Sequence, residues 1–394
     1  MKSRLLGLLG SLLIVSLIVA AAPVFARSDS ASSLGLGFDL RVELLRRLGA
    51  MPSFSACIVK GEDVVWQGSW GWADVYASVP ATDETQYAIG SVSKVITAVA
   101  ILQLAEEGHF ALDDDVSPHL PFDLRNPAFP EEPITFRMLL SHTASLAGGN
   151  EHFFSTFYFN PYELAELGSF LTPADSDYWP AYWRDVPPGE SMEYANIGFE
   201  LLSLLVEQIS GQTYEDHVRD AIFEPLGMTD STFEATGATS PAMPYMAFLG
   251  ISIPMGHYEI GSLGAGGLRT TLADLAQLAS ALMNGGAYGG VQVLEPESVA
   301  EMQSRHAVGS VDGASGYGLG WMVFGNGGGD GDLGGHAGGA FGCRTMMQIR
   351  PSDQTAVIYT FNRLNPAIPP SLSPLMNYAA DRLEAILWDL ADQF

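Results

Sequence analysis

Residues 89–108 read Ile89-Gly90-Ser91-Val92-Ser93-Lys94-Val95-Ile96-Thr97-Ala98-Val99-Ala100-Ile101-Leu102-Gln103-Leu104-Ala105-Glu106-Glu107-Gly108. The pattern predicts a helix from Ser91 to about Glu107, stopped by Gly108 as a C-terminal glycine. Val92, Val95, Ile96, Val99, Ile101, Leu102 and Leu104 leave it almost no polar side, so it is expected to be buried on most of its surface. Ahead of it, Ser53 to Val59 and Asp63 to Trp70 are strand-like runs around the hairpin signal Lys60-Gly61-Glu62. Gln86 to Ile89 reads as a short strand, and Phe38 to Leu48 has helical periodicity. Behind it, residues 115–275 read as helices joined by Pro-rich connections, clearest at Ile197 to Ile209 and Tyr214 to Phe223. Thr271 to Met283 is a further helix, closed by Asn284-Gly285-Gly286. After Gly316 strands return at Gly320 to Phe324, Phe341 to Ile349 and Thr355 to Phe361, before a last helix near Leu375 to Gln393. Strands at both ends with helices between them predict an α/β lobe (residues 38–115 and 276–394) carrying an inserted all-helical lobe (residues 116–275).

The chain has 394 residues, with 45 acidic against 18 basic side chains and a net charge of -27. Lysine occurs only at Lys2, Lys60 and Lys94. No basic face is available for phosphates, which excludes nucleic acid as a partner, and anionic membrane surfaces are equally disfavoured. A hydrophobic share of 47% excludes a disordered chain. Lys2 and Arg4 precede an apolar run from Leu5 to Ala22, followed by Val24-Phe25-Ala26. This is the layout of a signal peptide over residues 1–26, with cleavage after Ala26 and a secreted or periplasmic product. Residues 27–37 read as a linker. The last helix carries Asp381, Arg382, Glu384, Asp389 and Asp392, so no membrane span is expected after cleavage. Cys57 and Cys343 read as free buried thiols, although that compartment permits a bridge. The eight histidines show no metal-binding spacing, and no metal or cofactor is expected. Gly329 to Gly334 matches Gly-x-Gly-x-x-Gly, but no helix follows it; Asp330 and Asp332 read as part of a loop.

Three short motifs carry chemistry. Ser91 and Lys94 are three apart on a helix and so share a face. A serine hydroxyl needs a neighbouring base to become a nucleophile. Burial and the positive end of the helix dipole both favour a neutral lysine amine. Tyr194 and Asn196 lie two apart in an extended segment and point the same way. A tyrosine near a lysine can pass protons to a leaving group, and Asn196 can hold a substrate amide. Gly335-His336-Ala337-Gly338-Gly339 precedes a strand and lets a ligand approach the backbone. An N–H from it, with that of Ser91, would make an oxyanion hole.

The order Ser-x-x-Lys, Tyr-x-Asn, His-x-Gly resembles the penicillin-binding proteins and class C β-lactamases, together with their esterase and D-aminopeptidase relatives. Gly71-Trp72-Ala73-Asp74, Leu139-Leu140-Ser141-His142-Thr143, Pro187-Pro188-Gly189, Phe223-Glu224-Pro225-Leu226-Gly227-Met228, Gly264-Ala265-Gly266-Gly267-Leu268 and Gly318-Leu319-Gly320-Trp321 extend the resemblance over residues 40–362. It implies a β-lactamase/transpeptidase-like α/β fold: an antiparallel sheet flanked by helices, plus the helical lobe. It implies Ser91 as nucleophile, Lys94 and Tyr194 as base and acid, and Asn196, His336, Gly338 and Gly339 as substrate-binding residues, with Gly339 and Ser91 forming the oxyanion hole. A small-molecule or peptide substrate would form an acyl-Ser91 intermediate. The chain departs from the family where Lys-Thr-Gly becomes His336-Ala337-Gly338, which removes a carboxylate-holding cation. The expectation is therefore an esterase, amidase or hydrolase of D-amino-acid compounds. A D-alanyl-D-alanine carboxypeptidase or β-lactamase is the alternative within the class, and a catalytically silent peptidoglycan-binding protein the alternative outside it.

Overall fold

The computed structural model describes residues 36–148, 151–153, 155–156, 164–235, 237–248, 251–325, 333–364 and 373–394. The signal-peptide segment, residues 27–35 of the linker, and Asp330 and Asp332 lie outside the described residues.

The strands that build the main sheet are β1 (Ser53–Lys60), β2 (Asp63–Asp74), β3 (Val79–Pro80), β4 (Ala307–Val311), β5 (Ala314–Tyr317), β6 (Met322–Val323), β7 (Gly334–Ala340), β8 (Cys343–Arg350) and β9 (Thr355–Phe361). The helices that position the site are α1 (Leu36–Leu48), α2 (Ser93–Glu106), α3 (Asn196–Ser210), α4 (Leu272–Met283) and α5 (Ser373–Ala391). The nine strands lie in the order β4-β5-β6-β7-β8-β9-β1-β2-β3. Every pairing is antiparallel. β1 pairs with β9 from Ser55↔Thr360 to Lys60↔Thr355, so the two ends of the chain share one sheet.

The sheet is covered on both faces, and the strand sequences say why. All of β9, Thr-Ala-Val-Ile-Tyr-Thr-Phe, is buried. Val357, Tyr359 and Phe361 point to a core shared with Val42 of α1 and Leu383 and Leu387 of α5. Ala356 and Ile358 point the other way, to a core shared with α2, α3 and α4. That is the period-two alternation of a strand with apolar residues on both sides. α2 lies inside the second core; Val95, Ile96, Val99 and Ile101 are fully buried. Among the described residues no helix is long and apolar enough to cross a membrane.

Several elements differ from the sequence reading. Gly335 to Gly339 lies within β7 and not in a loop before a strand. Glycine has little strand propensity, so the strand is hidden in the sequence. Its partner β8 starts at Cys343 rather than Phe341, because Gly342 makes the turn at φ +86. The strand expected at Gly320 to Phe324 shrinks to Met322–Val323, since Gly320 sits at φ +65. Of Gln86 to Ile89, Tyr87–Ala88 forms the strand, paired with Arg269–Thr270 outside the main sheet, and Gln86 adds a single bridge to Pro241. The β4–β5 hairpin is an element that the sequence pattern does not announce. Its turn is Asp312-Gly313, with both residues at positive φ (45 and 86), the geometry of a two-residue type I′ turn. Cys57 and Cys343 are free and buried.

Candidate active site

Ser91 sits on a short 3₁₀ turn, Gly90–Val92, that leads into α2. Its surroundings are set by close backbone packing. Gly90 is at φ +54, and a β-carbon there would lie 2.5 Å from the Gly339 carbonyl carbon. β7 therefore presses directly on the turn and brings Gly339 beside Ser91.

Lys94 is one turn further on and fully buried. Its amine lies 3.0 Å from Ser91 Oγ and donates to Asn196 Oδ1 at 2.8 Å and to the Ala265 carbonyl at 2.6 Å. Burial pushes its pKa down to about 7, against the pull of Glu200 and Asp312. The amine is also 5.0 Å from the centre of the Tyr194 ring.

Tyr194 and Asn196 flank Ala195, which is extended (φ -126, ψ 111) at the start of α3. Ala195 N–H donates to His142 Nδ1 at 3.2 Å, which anchors this corner. The His142 ring packs on Tyr194 at 4.3 Å and Tyr317 at 4.6 Å. Burial and the Lys94 charge hold that imidazole neutral, so His142 has a supporting role. The Tyr194 hydroxyl is buried without a well-formed hydrogen bond. Burial raises its pKa, while the nearby Ser91 hydroxyl favours the phenolate.

A cavity of about 380 Å³ opens over these groups, and the residues lining it include Ser91, Glu193, Tyr194, Asn196, Asp312 and Gly339. Ser91, Lys94, Tyr194, Asn196 and Gly339 are thus brought together. Gly338 supports them from behind, against Ile89. His336 is not among the residues lining the cavity. It is fully enclosed, with Nδ1–H donating to the Ala337 carbonyl at 2.6 Å and Nε2 accepting from Tyr317 Oη at 2.7 Å. Burial, aided by Lys94, pushes its pKa down to about 3. Arg344 lies opposite Gly339 in the β7–β8 ladder but does not line the cavity either. Tyr182 is buried against His152, and Trp183 donates to the Leu171 carbonyl, so both rings pack the helical region.

Sequence reasoning missed Glu200, Ser262, Glu193 and Asp312, and gave the Gly264–Gly267 segment no task. Glu200 was the findable one. It is one of only two acids in an apolar helix, the other being Glu207, and it stands four residues after Asn196 on the same face.

Known proteins resemble the chain over the same region. The model of the Beta-lactamase family matches residues 42–380. "Protein flp" of Staphylococcus aureus (strain N315) is 31% identical over 197 residues, 49% of this chain and 37% of that protein. "Penicillin-binding protein 4*" of Bacillus subtilis (strain 168) is 28% identical over 190 residues, 48% of this chain and 40% of that protein. The matched segment therefore spans less than half the length of these curated relatives. The octameric penicillin-binding protein homologue from Pyrococcus abyssi superposes with a TM-score of 0.70 at 26% identity, over 89% of this chain and 77% of that one. D-amino acid amidase from Ochrobactrum anthropi SV3 shares the fold at a TM-score of 0.70 and 22% identity, over 89% and 98%. Motifs, sheet order and family match agree, and the chain belongs to the Beta-lactamase family.

Proposed function

We propose that the chain is an exported serine hydrolase that cleaves an ester or amide through an acyl-Ser91 intermediate, on a substrate that is neutral or cationic near the scissile bond. The observation that carries the hydrolase reading is the three-way contact of the Lys94 amine with Ser91, Asn196 and Ala265. Ser91 Oγ attacks the acyl carbon and its proton passes to Lys94 Nζ. The carbonyl π electrons move onto the oxygen, facing the N–H groups of Ser91 and Gly339. Collapse expels the leaving group, which takes the proton back through the Tyr194 hydroxyl. Water then repeats the steps on the acyl-enzyme and frees Ser91. Asn196 orients the substrate while accepting from Lys94.

The substrate reading is supported by the cavity walls. Glu193 and Asp312 line it, and no arginine or lysine does among the described residues. The family's cation in the third motif is replaced by His336, which is enclosed and held neutral. An anionic β-lactam or D-alanyl peptide would meet repulsion here. The structural neighbours include proteins named D-amino acid amidase and D-stereospecific amidohydrolase, which are compatible with an amide substrate.

The test is a panel of p-nitrophenyl esters, amino acid amides of both configurations, D-alanyl peptides and nitrocefin, with Ser91→Ala as control. Turnover of esters or amides, with an acyl adduct on Ser91 in intact-mass spectra, is expected. Rapid nitrocefin turnover with slow ester hydrolysis would refute the substrate reading. Unchanged fluorophosphonate labelling of Ser91→Ala would refute the nucleophile.

A further inference from the structure

Glu200 is a fully buried acid on α3. Its Oε1 accepts two hydrogen bonds, from Ser262 Oγ at 2.6 Å and from Ala265 N–H at 2.9 Å. Ala265 belongs to the π-helical turn Leu263–Gly267. The carbonyl of that same residue accepts from Lys94 Nζ. A carboxylate is costly to bury, yet this one stands on a helix whose other buried residues include Ile197, Phe199, Leu201 and Leu204.

The donor count at Lys94 explains what the acid achieves. A neutral amine has two N–H bonds and one lone pair. Asn196 Oδ1 and the Ala265 carbonyl can only accept, so each takes one N–H. The lone pair is then directed at the third neighbour, Ser91 Oγ. If the Ala265 carbonyl turns away, that direction is lost and the amine can instead donate to Ser91.

We propose that Glu200 is a positioning residue for proton transfer from Ser91 to Lys94, fixing the Ala265 carbonyl through its Oε1 and steadying the protonated amine through its charge. The proposal rests on the reading of Ser91 as nucleophile. The titratable groups that face Lys94 are few. Tyr194 is kept protonated by burial, and His142 and His336 are kept neutral. Asp312 acts from the exposed cavity mouth, where water screens it. Of the two carboxylates that favour the charged amine, Glu200 has the larger effect.

Two substitutions separate reach from charge. Glu200→Gln can keep both hydrogen bonds on Oε1 while losing the charge. Its kcat/KM for p-nitrophenyl acetate should stay near the wild-type plateau, with the acid limb moved down by about one pH unit, the low end for a nearby opposite charge. Glu200→Asp keeps the charge but retracts the oxygen by one methylene. Its acid limb should stay close to the wild type, with the plateau lowered by about tenfold or more. A limb that does not move, or moves up, in Glu200→Gln overturns the charge effect. A plateau in Glu200→Asp equal to the wild type overturns the positioning. A purely structural role would lower the melting temperature of both variants and leave both limbs in place, which also overturns the proposal. The Ser91 acyl adduct in wild-type intact-mass spectra tests the nucleophile separately, so failure of one reading is not confused with failure of the other.

Discussion

Gly338 and Ile89 touch backbone to backbone: a β-carbon on Gly338 would lie 1.9 Å from the Ile89 carbonyl oxygen. This contact joins β7 to the turn that carries Ser91, and so sets the distance between Gly339 and the nucleophile. Gly338→Ala must push the strand away. The expected result is a loss of roughly 1–3 kcal/mol of stability and about a hundredfold drop in kcat/KM, the scale of a 1 Å displacement of reacting groups. Gly339→Ala is the contrast. Its β-carbon meets only Leu364, at 3.6 Å, and the melting temperature should be unchanged. Thermal melts of the two variants followed by circular dichroism check this; equal stability would show that the contact is not a constraint.

Tyr194 makes a prediction of opposite sign for fold and function. Its hydroxyl is buried and lacks a well-formed partner. Removing an unsatisfied buried hydroxyl costs little and can stabilise. Tyr194→Phe should therefore melt at the wild-type temperature or slightly above. Its kcat/KM should fall by about 10²–10⁴, the range for loss of a general acid–base group. A variant that stays fully active would remove Tyr194 from the proton path.

Much of this was legible in the sequence, for reasons that can be named. α2 could be read because its apolar residues leave no polar face, and β9 because it is a run of β-branched and aromatic residues. β7 could not, because its chemistry requires glycines, and glycines erase the strand pattern that periodicity depends on. Ser91, Lys94, Tyr194 and Asn196 stood out through the order of their motifs and the family resemblance that this order carries, each motif being weak by itself. The enclosure of His336 did not, because it depends on Tyr317, which lies 19 residues earlier and reaches the imidazole only through the fold. Glu193 and Asp312 were hidden for another reason: among 45 acids, two particular ones carry no signal until a cavity gathers them.

The pH dependence of acylation should report Lys94 and no histidine. Lys94 acts as base only when neutral, and burial holds its pKa at about 7. The rate should rise with pH through that value. His336, pushed down to about 3, is neutral across the working range, and His142 lies well below its usual value. His336→Gln should leave the acid limb where it is, whatever it does to the plateau. Stopped-flow acylation by p-nitrophenyl acetate from pH 5 to 9 measures this. An acid limb that disappears in His336→Gln would transfer the base role to the imidazole.

The same buried amine sets a stability cost that removal of Lys94 should reveal. In the unfolded chain Lys94 titrates near 10.5, and in the folded chain near 7. Between those values the unfolded state binds a proton that the folded state does not, so this group's contribution to stability rises with pH. Below about pH 7 both states are protonated, and the folded state carries the full penalty of a buried charge. At about 1.4 kcal/mol per pH unit, the penalty is several kcal/mol. Lys94→Met fills the same space without charge, leaving the Ala265 carbonyl and Asn196 Oδ1 to lose one donor each. Those losses do not change with pH, whereas the relief of charge does. The melting temperature of Lys94→Met relative to wild type should therefore be higher at pH 6 than at pH 9.5, while activity is abolished at both. A difference that is constant across pH would mean that Lys94 titrates alike in the folded and unfolded chain, and would remove the physical basis for a neutral amine near pH 7.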